Sequence, residues 1–117
     1  MKYRKTIIEW NQMACGHIVD KIEFQQHVAV IQLDDLTNEI NEIESDYIVV
    51  KDNKIRFMTL FSPKFLLGDS IVINSMKDSI FIYRDGVLID NLGFSNLNGV
   101  GKAPVYFQAK DVLDKFK

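Results

Sequence analysis

One cysteine, Cys15, stands in 117 residues, and a single thiol excludes both an intrachain disulfide framework and every multi-cysteine metal motif. Long apolar runs are missing as well. The basic start Met1-Lys2-Tyr3-Arg4-Lys5 leads only to Ile7-Ile8 before Glu9, short of the ~7–15 consecutive apolar residues a signal peptide needs. No window approaches the ~20 apolar residues of a membrane-spanning helix. Nor is there an excess of either charge: 14 Lys and Arg against 16 Asp and Glu give a net charge of -2. That balance offers no general attraction to nucleic acid or to an anionic membrane, so neither is expected as a partner. A cytoplasmic, reducing location is the expectation. With 47% hydrophobic and 26% charged residues, the chain reads as one folded domain over 1–117.

What is present is β-sheet patterning. Ser79-Ile80-Phe81-Ile82-Tyr83-Arg84-Asp85-Gly86-Val87-Leu88-Ile89-Asp90 sets two apolar runs around Asp-Gly, the strongest short-range hairpin signal, since both turn residues need positive φ. Gly68-Asp69 opens a further β-branched run, Ile71-Val72-Ile73, so residues 68–90 predict a three-stranded antiparallel meander. A second strand pair is predicted at 47–51 and 54–61, turned by Asp52-Asn53 and ended by Ser62-Pro63-Lys64. The two hairpins share a pattern of three strand residues, a base, Asp and a turn former. A duplication would produce this echo, and so would two turns meeting the same demands.

Upstream, Thr6 and Glu9 fit a capping box, with Ile7, Trp10, Met13 and Ala14 at helical spacing and Gly16 beyond. The alternative for 7–14 is a strand with Ile8 and Trp10 on one face; both readings bury Trp10. Residues 17–24 alternate and 27–33 are more continuously apolar, as for a central strand covered on both faces. The two form either a hairpin or one long bent strand. Asp34-Asp35 then caps a predicted helix over 34–46 with Leu36, Ile40 and Ile43 inward. Residues 92–102 read as a loop and 104–108 as a last strand. Ala109, Val112, Leu113 and Phe116 make a terminal helix. The expected fold is α+β, mainly antiparallel, with seven or eight short strands in a bent sheet or small barrel and two or three short helices, one of them C-terminal.

Five constellations invite chemistry. Cys15-Gly16-His17 suggests a thiol–imidazole pair, but at a helix C-terminus the dipole disfavours a thiolate, so Cys15 reads as structural. His17 and His27 with Asp20 or Glu23 match no short metal spacing, and no metal or cofactor is expected. Gly99-Val100-Gly101-Lys102 departs from a phosphate loop, with Asn96 at its first glycine position and Ala103 after the lysine. Arg56-Phe57, Tyr83-Arg84 and Tyr106-Phe107 set aromatics beside bases, but alternation sends neighbours to opposite faces, leaving the aromatic of each pair for the core. Last, Asp34, Asp35, Glu39, Glu42, Glu44 and Asp46 place six carboxylates in one base-free segment, leaving ten acids against fourteen bases elsewhere. On a helix these form either a solvated face or a docking patch for a protein with a basic surface.

No catalytic set survives, so the leading reading is a small non-enzymatic binding protein acting through protein–protein contact, as an inhibitor, adaptor or assembly component. The six carboxylates are its candidate partner-binding residues, and homo-oligomerisation stays open. The alternatives are a ligand-binding β-barrel or small enzyme with a pocket of sequence-scattered residues, and a barrel for single-stranded nucleic acid.

Overall fold

The computed structural model describes residues 12–34, 36, 37, 40–60, 62–77, 79–93 and 104–116. Its frame is one eight-stranded sheet in the order β3-β4-β5-β2-β1-β6-β7-β8, antiparallel at every pairing. The strands are β1 (Met13–Glu23), β2 (Ala29–Asp34), β3 (Ile43–Glu44), β4 (Ile48–Lys51), β5 (Lys54–Thr59), β6 (Ser70–Asn74), β7 (Ser79–Arg84) and β8 (Val87–Gly93). The sheet runs from β3 at one end to β8 at the other and does not close, so the barrel alternative is corrected to an open sheet. Among the described residues there is one α-helix, α1 (Tyr106–Asp114), against the two or three expected.

The central hairpin follows from β1 and β2. A 3-10 turn at Gln25–His27 joins them, with His27 at φ 61 and the Phe24 N–H donating to the Val28 carbonyl. This settles residues 17–33 as a hairpin. β2 lies in mid-sheet and is apolar on both faces because both are covered. Ala29, Ile31 and Leu33 join an inner cluster with Ile55, Phe57, Ile71, Ile73, Ile80 and Ile82. Val28 and Val30 join an outer cluster with Val49, Met58 and the α1 residues Ala109 and Leu113.

The 68–90 meander and the 47–61 pair form as their turn chemistry predicts. Asp85 (φ 52) with Gly86 (φ 79), and Asp52 (φ 53) with Asn53 (φ 58), are two-residue turns in which both residues are left-handed. No atom lies within 4 Å of a Cβ built on Gly86, so only its φ resists substitution. Gly86→Val is therefore expected to cost more than ~1 kcal/mol in urea melts, by backbone strain alone. A cost of a few tenths would be incompatible with that φ. The echo between the hairpins does not extend to their places in the sheet. β5 pairs inward with β2, whereas β8 stands at the sheet end.

Two segments take another form than their sequence suggests. Among the described residues of 34–46 no helix forms: Ile43 and Glu44 pair with Val50 and Val49, and Ser45 closes a turn by accepting the Ile48 N–H at 3.0 Å. Leu36 and Ile40 still pack against the inner cluster, without being part of a helix. A Cβ on Gly16 would meet Leu36 Cδ2 at 2.7 Å and the Asp34 carbonyl at 2.9 Å, so that crossing needs a glycine beneath it. Like charges three and four residues apart, and Asp, Asn, Thr and Ser that bond their own backbone, disfavour the helix. The strand expected at 104–108 is a turn leading into α1, since the helical stripe begins at Val105, four residues before Ala109. Met13 and Ala14 belong to β1; residues 7–11 with Trp10, Phe61 and the loop 94–103, including Gly99-Val100-Gly101-Lys102, lie outside the described residues.

Candidate interaction face

The two halves of the sheet's outer face are finished differently. Over β2, β4 and β5 the helix α1 covers Val28, Val30, Val49 and Met58. Arg56 fastens its C-terminal end, stacking 4.6 Å from the Phe116 ring centroid and donating to Gln32 Oε1 at 2.8 Å and to the Val112 carbonyl at 3.4 Å. Over β1, β6, β7 and β8 the register builds two outward rows. One is Cys15, Val72, Phe81 and Asn91; the other is His17, Ser70, Tyr83 and Leu88. Met13 and Ser79 extend the same face, for their strand neighbours Ala14 and Ile80 point into the inner cluster. Cys15, Val72, Phe81 and Tyr83 are half-buried, while Met13, His17 and Leu88 are exposed. None of these residues is Asp, Glu, Lys or Arg.

Three sequence readings change here. Cys15 and His17 sit two apart on a strand, not at a helix end, and so share a face. His17 is also directly opposite Asp34 on β2 and Ser70 on β6, which gives an Asp–His–Ser row across three strands. The Asp34 carboxylate, however, accepts from Gln32 Nε2 at 3.0 Å and faces Lys54 Nζ at 3.9 Å. Among the described residues no group of three His, Cys, Asp or Glu side chains converges as metal ligands. His17 lies toward the far end of the β1–β2 hairpin from His27, roughly 20 Å of strand away from Glu23 at the turn. The Tyr83–Arg84 pair is reversed from the sequence reading, because Tyr83 faces out and Arg84 faces in. Phe57 is fully buried as expected, and Phe107 is 79% exposed.

The acidic segment is dispersed. Asp34 is on β2, and the Glu42 carboxylate accepts the Asp52 N–H at 3.3 Å. Glu44 is opposite Val49, and Asp46 lies 3.7 Å from Lys110 Nζ on α1. Asp35 and Glu39 lie outside the described residues.

A second polar cluster, which sequence reasoning missed, holds the 62–69 connection over one end of the inner face. Phe65 is fully buried, its ring edge on Phe57 with centroids 5.9 Å apart. Around it Arg84 grips Asp69 with two hydrogen bonds, Nε to Oδ1 at 2.9 Å and Nη2 to Oδ2 at 3.0 Å. Lys64 meets Asp90 at 2.6 Å, and Lys21 Nζ donates to the Phe65 carbonyl at 2.6 Å. Asp69 also closes its own turn: its N–H donates to the Leu66 carbonyl at 3.1 Å and its Oδ2 accepts the Leu66 N–H at 3.0 Å. Gly68, at φ +90, makes that turn feasible. Burial pushes the Asp69 carboxyl up, but the Arg84 and Leu66 hydrogen bonds and the charges of Arg84 and Lys21 outweigh it, and its pKa is lowered. Lys64, with the Asn91 N–H, lowers that of Asp90. Nothing in Gly68-Asp69 signalled this beyond a turn, since the charged partner Arg84 is 15 residues away.

Comparison with family models, with curated proteins and with solved structures finds no match to this chain. No helix among the described residues is long and apolar enough to cross a membrane.

Proposed function

We propose that this is a small binding protein that acts through protein–protein contact, as an inhibitor, adaptor or assembly component, and that the outer face of β1, β6, β7 and β8 is the contact. The observation that supports it is the contrast between the two halves of one sheet face. Among the described residues α1 covers one half, while the other carries the exposed Met13 and the half-buried Cys15, Val72, Phe81 and Tyr83 in adjoining rows. Contiguous apolar patches of this kind on a folded surface mark interaction sites. Three of the acidic candidates for a basic partner, Asp34, Glu42 and Asp46, each have a partner within the chain, which favours this face over them.

The test compares baits. Proteins retained by the wild type from the native host are expected to be lost with Phe81→Glu, whose fold is checked by its thermal melt. Retention of the same proteins at the same yield would remove the face from consideration. A small-enzyme reading has one observation in its favour, the Asp34–His17–Ser70 row. An activity-based hydrolase probe that labelled the wild type but not Ser70→Ala would move the assignment there.

A further inference from the structure

We propose that Asp90 guards the long edge of the sheet, holding β8 against the addition of the same strand from a second copy of the chain. The inference goes beyond the contact reading, for it concerns an edge of the sheet and not its outer face. Two strands end the sheet. β3 is only 2 residues long, whereas β8 has 7 and pairs, among the described residues, with β7 alone. An edge strand offers N–H and C=O groups to any extended chain, the more so where its side chains are apolar strand formers. Val87, Leu88 and Ile89 are such a run, 63%, 50% and 39% exposed, and β8 contains neither Lys nor Pro to blunt it.

What opposes pairing is concentrated in the residues that follow. Leu88 is opposite Tyr83 and Asp90 opposite Ile82, so Ile89 is the extra residue of a bulge. Asp90 then turns inward, two residues before the buried Leu92, and meets Lys64 at 2.6 Å. A bulge and an inward-pointing charge are both devices that close a sheet edge. The same carboxylate does a third thing: its Oδ1 accepts the Asn91 N–H at 2.7 Å. That N–H lies on the open side. A two-residue turn makes Arg84–Val87 a hydrogen-bonded pair, and alternation along β7 makes Phe81–Asn91 one whose polar groups point away from each other. Asp90 thus occupies a donor that a ninth strand needs and sets negative charge where the incoming carbonyl oxygen would sit. Against a second copy the guard acts twice, since each β8 brings its own Asp90 to the shared edge and like charges across a ladder repel.

Sedimentation equilibrium from low micromolar to several hundred micromolar chain tests this. The wild type is expected at 13.5 kDa throughout, and Asp90→Thr to rise toward twice that value. Threonine favours a strand while removing the carboxylate, and Asp90→Ala is carried beside it, each checked by its urea melt. Adding Asn91→Pro to Asp90→Thr is expected to return the mass to 13.5 kDa, because proline has no N–H to give an incoming strand. Lys64→Met removes the ion pair but leaves the carboxylate on the Asn91 N–H, and is expected to stay at 13.5 kDa. A folded Asp90 variant that remains at 13.5 kDa at every concentration overturns the inference. So does association that survives Asn91→Pro, or a Lys64→Met chain that associates as strongly as Asp90→Thr. Wild-type association that Asn91→Pro abolishes overturns it as well, for β8 would then be open with Asp90 in place.

Discussion

Replacing Phe65 with Ala is expected to remove ~3–5 kcal/mol from the unfolding free energy. Phe65 is fully buried although it belongs to a connection between strands, and its ring edge meets Phe57 of β5. The cost of such a truncation depends on whether the surroundings collapse into the space, and here they are held. Lys21 and Arg84 tie the 64–69 backbone to the sheet through the Phe65 and Lys64 carbonyls, and the Asp69 turn fixes the next residues. The cavity therefore stays open and its lining loses dispersion contacts outright. Against a total of ~5–15 kcal/mol, the variant still folds at 25 °C but unfolds at much lower urea. Leu67, two residues on and 65% exposed, serves as the control: its alanine variant is expected to stay within ~0.5 kcal/mol of wild type. A Phe65→Ala loss below ~1 kcal/mol would mean that the ring does not fill the inner face.

The fold was legible wherever local chemistry decides it. Asp85-Gly86 and Asp52-Asn53 specify left-handed turn residues with few alternatives, and both hairpins form around them. The apolar run Val28–Ile31, resumed at Leu33, announced a strand covered on both faces, because alternation is needed only where one face meets water. Legibility failed where two periods compete for the same residues. Leu36, Ile40 and Ile43 suit a helical stripe, yet the same side chains reach the inner cluster without a helix once Gly16 leaves room for Leu36. At Val105 the opposite happened, and a helix claimed residues assigned to a strand because its stripe began one turn earlier.

The candidate site was less legible than the fold, for a reason of register. Cys15, Val72, Phe81 and Asn91 are scattered over 77 residues and become one row only when β1, β6, β7 and β8 pair in one alignment. A one-residue slip would turn each strand's outward set inward, so composition alone cannot place them. The Asp34–His17–Ser70 row has the same origin.

Asp69→Asn is expected to destabilise by ~1–3 kcal/mol at neutral pH, with an effect that shrinks as the solution is acidified. The lower end of the range for a broken buried pair applies, because the Arg84 side chain is 38% exposed and recovers water when its partner is lost. Asparagine keeps the shape and one acceptor, but Arg84 then faces an amide where it had a carboxylate taking two hydrogen bonds. The pH dependence has a definite sign. In the native chain the Asp69 pKa lies below its ordinary value of 3.8, to which it returns on unfolding. Between those two values the unfolded chain binds more protons, so stability rises with pH there. The carboxylate's contribution is complete above the ordinary range and is lost as pH falls through 3.8 toward the lower native value. Asp90, also lowered, follows the same course in both proteins and cancels from the comparison. Urea melts of wild type and variant at intervals from pH 7 to pH 3 should therefore show a gap that is constant down to about pH 5 and narrows below it. A gap of the same size at pH 3 as at pH 7 would mean that the charge on Asp69 contributes nothing, and that Phe65 is held by shape and backbone contacts alone.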